Sequence, residues 1–404
     1  MIESYDVIIV GGGIVGLAVA LEITKRFPRL RLLLLEKEDR VGQHQSSHNS
    51  GVIHSGVYYK PGSLKAKLCV EGARAMIAFC ATHGIPYQVC GKVIVATHED
   101  EFPRLEELRR RGEANGLTGL QVIGPEKLRE IEPHASGLRA LVVPSTGITD
   151  YAAVCTKYSE MIQSQGGRIL TSTKVTGVRS FANEISVAAS VSAFSARYVI
   201  NCAGLFSDRI SRMAGTEPDV MIVPFRGEYY HLTPERAALV QALIYPVPDP
   251  RFPFLGVHFT RRVNGLVDAG PNAVFAFRRE GYRRTDFNLN DLASSLAFPG
   301  FWRMAVKHWR SGLDEFRRSF SKSHFVRALQ RLVPDVSERD LVPGGSGVRA
   351  QALTRDGSLV DDFQFVPSRN MLHVLNVPSP AATASLPIAR AIVDAASKNI
   401  GLAD

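Results

Sequence analysis

The sequence predicts a mixed α/β fold (α/β with α+β character), and three observations predict it. Residues 5–10, Tyr-Asp-Val-Ile-Ile-Val, form a short β-branched run suited to a strand covered on both faces. A glycine-rich turn over 11–16 follows, then helical composition over 17–23 and a second apolar strand over 30–35. Far downstream, 227–232 (Gly-Glu-Tyr-Tyr-His-Leu) alternates as a strand of a second, mixed sheet would. At about 150 residues per domain, 404 residues make two to three domains.

Composition sets the class. Apolar residues are 45% and charged residues 22%, which excludes a disordered chain, a collagen and a disulfide scaffold. The net charge of +9 permits an acidic small molecule, anionic lipid or nucleic acid and does not choose among them. The five cysteines (Cys69, Cys80, Cys90, Cys155 and Cys202) are scattered without a CxxC and read as reduced thiols, with no metal expected. The uncharged run 7–21 has no basic residue before it and is shorter than the roughly 20 residues of a membrane span. It reads as strand, turn and helix, and a cytoplasmic protein is expected.

Each glycine of the turn has a physical task. Gly11 permits the tight turn, Gly13 lets a pyrophosphate approach the backbone, and Gly16 lets helix and strand pack closely. The helix N-terminus offers free N–H groups to phosphate. Glu36 follows Gly16 at the distance where an acid accepts from ribose hydroxyls, and its charge disfavours a 2′-phosphate. The chain then enters a long polar loop, 37–56, containing Lys37, Ser46, Ser47, His48, Asn49 and Ser50. Such a loop suits a dinucleotide that extends past its pyrophosphate, as FAD does.

These segments resemble the D-amino-acid-oxidase type of FAD-dependent oxidoreductases. So do 198–208 (YVINCAGLFSD) and 376–385 (NVPSPAATAS), the latter a turn before a C-terminal apolar helix. Within that family, 48–66 (HNSGVIHSGVYYKPGSLKA), 224–229, 243–250, 253–258 (PFLGVH), 270–273 and 347–351 are similar to the L-2-hydroxyglutarate oxidases and dehydrogenases. The resemblance implies a Rossmann-type FAD-binding domain with non-covalent FAD, and places Val175, Gly204, Pro380 and Ala381 beside the cofactor. In some amine-oxidising relatives a histidine at the place of His48 bonds covalently to the flavin. The implied organisation is interleaved. FAD-binding parts span 1–85, 145–215 and 335–404, and substrate-domain parts span 86–144 and 216–334.

The implied reaction is oxidation of L-2-hydroxyglutarate to 2-oxoglutarate by hydride transfer to flavin N5. The alternative is amine oxidation on the same fold. A hydroxy acid needs a base for its hydroxyl proton and cations for its carboxylate. His54 is the first candidate base and His258 the rival; either could instead be structural. Arg226 and Arg349 are the carboxylate candidates, although Arg226 could pair with Glu228 across a strand. Tyr58 and Tyr245 are candidate donors or pocket walls. With one nucleotide fingerprint in the chain, a quinone or dioxygen is the expected electron acceptor. Nucleic-acid binding, suggested by the basic charge alone, is disfavoured: no RNA-binding signature appears and the charge concentrates in one segment.

Residues 293–331 read as a basic aromatic helical segment. Trp302 and Trp309, the only tryptophans, lie there, and eight Lys/Arg stand against two acids between Phe301 and Arg331. Rings and cations interleaved on a helix suit an anionic membrane surface, here the cytoplasmic face of an inner membrane. The competing expectation makes both tryptophans core.

Overall fold

A computed structural model describes residues 2–182, 184–249 and 255–403. Two strands of the first sheet follow from the opening motif. Glu3–Val10 runs parallel to Leu32–Leu35 on one side and to Ala193–Asn201 on the other. Its residues from Val7 to Val10 are buried, as a parallel strand covered on both faces requires. Arg168–Leu170 extends the sheet beyond Leu32–Leu35, and Met371–Asn376 runs parallel to the end of Ala193–Asn201. Val175–Ser180, Ile185–Ala189 and Gln364–Ser368 complete eight strands.

Helix Ile14–Arg26 connects the first two strands, and helix Tyr151–Ser164 precedes Arg168–Leu170, as the sequence predicts. The C-terminal helix Ser385–Ile400 packs on Ile14–Arg26. Leu17, Leu21 and Ile23 meet Ile388, Ile392 and Val393 in one buried cluster.

The second sheet has nine strands. Val220–Leu232, His258–Arg261, Leu243–Pro246, Lys92–Ala96 and Arg139–Val143 are among them. Strand Leu341–Thr354 differs from the sequence expectation, which put 335–404 wholly with the FAD-binding part. It pairs antiparallel with Val220–Leu232 from Val220↔Thr354 to Leu232↔Leu341, so the chain crosses the second sheet once more before returning to the first. A local pattern cannot reveal such a partner 120 residues away. A small sheet of Val52–Ile53, Gly147–Thr149 and Tyr87–Gln88 lies between in sequence.

Segment 293–331 forms parts of four helices: Leu289–Ala297, Pro299–Lys307, Trp309–Phe320 and Lys322–Gln330. No helix among the described residues is long and apolar enough to cross a membrane.

Candidate active site

Three cavities of about 430, 140 and 400 Å³ run end to end. The first two share Gly13, Gln45, Ser46, Cys202 and Gly204 as walls, and the last two share Gln45, Ala350, Val377, Ala381 and Ala382. The result is an elongated channel from the first sheet to the edge of the second.

The glycine turn shapes its first end. Gly11 has φ +109°, open to glycine, and a Cβ there would lie 2.5 Å from the Cys202 carbonyl oxygen. A Cβ on Gly13 would meet only Ser46 Oγ, at 3.4 Å, so this side of the helix N-terminus is open to the channel. Ser46 Oγ accepts from the Ile14 N–H (2.8 Å), holding the loop against the helix start. Glu36 lines the same cavity and accepts from the N–H groups of Gly12 (2.7 Å) and Glu38 (2.9 Å). Lys37 and Val175 line it as well. The Lys37 ammonium sits among Glu38, His44 and Glu280, the last of which sequence could not bring to it.

A glycine cradle at a helix N-terminus, an acid at the end of the second strand and a channel running from them fit FAD, which needs all three. Gly11, Gly13, Glu36, Lys37, Ser46, Val175 and Gly204 line the first two cavities, and His48, Asn49, Ser50, Pro380 and Ala381 line the third. One expectation needs correction. Ser47 lies off the channel, its hydroxyl donated to the Gly42 carbonyl. Gly16 does not line the channel either; a Cβ there would be 2.0 Å from the Gly11 carbonyl oxygen, the close packing expected of it.

The third cavity gathers the substrate candidates. His54, Tyr58, Tyr245, His258 and Arg349 all line it. His54 is anchored by its N–H, which donates to Thr383 Oγ1 (3.1 Å). Thr383 Oγ1 and the Tyr151 hydroxyl lie 2.9 Å apart, both within hydrogen-bond distance of the Val52 carbonyl. This network binds the histidine segment to the turn before the C-terminal helix. His48 lines the cavity with its Nδ1–H donated to the Ser346 carbonyl (3.0 Å).

Burial drives the electrostatics here. It lowers the His54 pKa to about 3, with help from the positive charge of Lys92. Burial also lowers His258 to about 3, against the hydrogen bond to Gly256. Both imidazoles are therefore neutral at pH 7. Burial pushes the Tyr58 and Tyr245 hydroxyls up, so both are protonated donors.

Arg226 is not in the cavity wall. Gly227 and Tyr229 of the same strand line it, and side chains alternate with a period of two, so Arg226 and Glu228 share the other face. There Arg226 donates to Glu228 Oε1 (3.0 and 3.2 Å) and to the Arg283 carbonyl (3.2 Å). Glu228 also receives Arg284, Asn272 and Ser319.

Sequence reasoning missed Gln45, which lines all three cavities and accepts from the Ala350 N–H (3.0 Å), and Tyr229. It also missed Lys92, a lysine 3% exposed in strand Lys92–Ala96. Gln45 belongs to the long polar loop 37–56, whose composition is its signal; for Lys92 nothing local distinguishes it from a surface lysine. Of the segment 253–258, Pro253 and Phe254 lie outside the described residues, as does Pro250.

The comparisons agree with this geometry. A family model described as FAD dependent oxidoreductase matches residues 6–395. The L-2-hydroxyglutarate dehydrogenase of Indibacter alkaliphilus is 51% identical over 98% of this chain and 99% of its own. That of Escherichia coli strain K12 is 46% identical over 96% and 92%. The mitochondrial protein of that name from Homo sapiens is 46% identical over 97% and 88%. Among solved structures, L-alpha-glycerophosphate oxidase from Mycoplasma pneumoniae with FAD bound has a TM-score of 0.79 at 23% identity, covering 97% of this chain and 94% of that one. Glycine oxidase from Geobacillus kaustophilus has a TM-score of 0.74 at 20% identity, covering 100% and 97%. With a family model spanning nearly its whole length and an elongated channel that begins at the glycine cradle, the chain belongs to the FAD-dependent oxidoreductase family, with FAD as its cofactor.

Proposed function

We propose that this enzyme oxidises L-2-hydroxyglutarate to 2-oxoglutarate. The observation that carries the reading is the third cavity. Two neutral imidazoles, Arg349 and protonated tyrosines meet there at the far end of the FAD channel. The names of the nearly full-length relatives support it. FAD, when bound, supplies the two-electron acceptor. The chain supplies the rest. Arg349 pairs with the carboxylate beside the hydroxyl, for which its planar fork is suited. His54 takes the hydroxyl proton on a ring nitrogen, held by its own backbone to the Thr383 turn. One observation favours His258 in that role. A carbonyl only accepts, so His258 Nδ1 donates to Gly256 and its Nε2 carries the lone pair.

The test is anaerobic mixing of the yellow protein with L-2-hydroxyglutarate or with amino and N-methyl amino acids, following flavin absorbance. Bleaching by L-2-hydroxyglutarate supports the reading; bleaching by an amine alone overturns it. FAD freed by acid or heat is the expected result for a non-covalent flavin, and flavin retained on the denatured chain points to His48.

Electrons then pass to a quinone or to dioxygen, and turnover with a quinone analogue against dioxygen separates the two. A peripheral contact with an anionic membrane fits the quinone case. Trp302 and Trp309 are 55% and 58% exposed, not core, and Val306 and Phe320 are exposed beside them. Arg303, Lys307, Arg310 and Arg317 lie on the same helices. Exposed rings among cations are what such a contact needs.

A further inference from the structure

Lys92 is a buried charge with no counter-ion among the described residues. It is 3% exposed, and its ammonium lies 4.4 Å from the ring centre of Tyr58 and 4.7 Å from that of Tyr245. Among the described residues no carboxylate contributes to its electrostatics. A buried ammonium costs free energy unless something negative joins it. Both rings that flank it line the substrate cavity. The Tyr58 hydroxyl is buried there with no hydrogen-bond partner among the described residues, a donor left waiting.

We propose that Lys92 is the specificity-determining charge of this cavity, acting through Tyr58 and Tyr245 to select a substrate with a second carboxylate. The inference rests on the hydroxy-dicarboxylate reading above and deepens it. A cation over a phenol ring strengthens its hydroxyl as a donor. The Tyr58 hydroxyl therefore donates to the distal carboxylate, whose charge offsets that of the ammonium behind the ring. Lys92 does not line the cavity itself, so it is a positioning residue.

The groups around Lys92 make its titration readable. Burial lowers its pKa to about 7, with the Cys69 thiol of helix Leu64–Thr82 opposing the shift. Cys69 itself is pushed up to about 12 by burial. Tyr58 and Tyr245 titrate above their ordinary range, and His54 and His258 at about 3. Lys65 and Arg349 add positive charge to the His54 environment, and Lys65 is paired with Asp361. Lys92 is thus the member of this group that changes charge near neutrality.

The experiment compares L-2-hydroxyglutarate with L-2-hydroxypentanoate, which has the same carbon chain and no second carboxylate, for wild type, Lys92→Met and Lys92→Arg. Lys92→Met should raise KM for the diacid about tenfold, the scale of one partly screened charge pair, and leave KM for the monoacid and both kcat values nearly unchanged. Lys92→Arg should keep the diacid preference. In wild type the diacid KM should climb as pH rises through 7 and the ammonium loses its proton, with the monoacid KM flat; Lys92→Arg should remove the climb. Wild type that fails to turn over L-2-hydroxyglutarate overturns the substrate reading. Wild type that turns it over while Lys92→Met leaves the KM ratio intact, or lowers kcat for both acids alike, overturns the role of Lys92. Should Lys92→Met not fold, a diacid KM independent of pH on either side of 7 overturns it equally.

Discussion

The ring of His258 lies 3.9 Å from that of Tyr245, centroid to centroid, while its Nδ1–H is held by the Gly256 carbonyl at 2.8 Å. The tilted ring contact and the hydrogen bond together fix the ring plane and the tautomer, leaving Nε2 as the acceptor. His54 has its backbone anchored instead. His54→Ala should keep FAD and lower the rate of flavin reduction by about 10²–10⁴, the usual contribution of a positioned base. An unchanged rate, with the loss appearing in His258→Ala, transfers the role. Both histidines stay neutral to about pH 3–4, so kcat/KM should show no acid limb near 6.5. A rate profile from pH 5 to 8 checks this.

Arg226 and Arg349 should separate cleanly. Arg226→Leu removes one partner of the buried Glu228 carboxylate and should cost about 2–3 kcal/mol, because an under-paired buried charge is expensive. The Tm should fall while KM of the folded fraction holds. Arg349→Lys should do the reverse, raising KM with the Tm unchanged, since an ammonium cannot form the bidentate pair.

His373 gives a stability signature apart from catalysis. It is buried, within hydrogen-bond distance of Asn201 and Ser368, and burial lowers its pKa to about 4. The unfolded chain binds a proton near 6.5 and the folded one does not, so stability is complete above 6.5 and falls as pH drops toward 4. The slope from this group is up to about 1.4 kcal/mol per pH unit. His373→Gln should reduce the dependence of Tm on pH in that window, leaving the share that the buried His54 and His258 contribute; an unaltered slope refutes the assignment.

Two glycines of the turn should behave differently. Gly16→Ala forces a methyl onto the Gly11 carbonyl and should cost about 3 kcal/mol or more, read as lost Tm and lost flavin together. Gly13→Ala meets only Ser46 Oγ, so the fold should persist while the methyl enters the channel and flavin content drops.

Trp302→Ser with Trp309→Ser should abolish salt-sensitive binding to anionic vesicles while Tm and flavin reduction stay unchanged, because both rings are exposed. Wild type that ignores such vesicles at low salt rules out the membrane contact.

Neighbouring residues determined much of this protein by themselves. The strand before Gly11, the turn, the helix after it, Glu36 and the crossover helix before Arg168 are set by β-branching, glycine and apolar period within a few residues, and all stand where the sequence puts them. The FAD channel is legible for the same reason, since its cradle is one contiguous unit. Tertiary structure alone decided the rest. Strand phase turned Gly227 and Tyr229 to the cavity and Arg226 away, a matter of one residue in register. The pairing of Leu341–Thr354 with Val220–Leu232 joined segments far apart in the chain and brought Arg349 to the cavity that holds His54. Lys92 became a buried charge because strands on either side enclosed it, and burial is a property of neighbours in space, which no stretch of sequence around a lysine records.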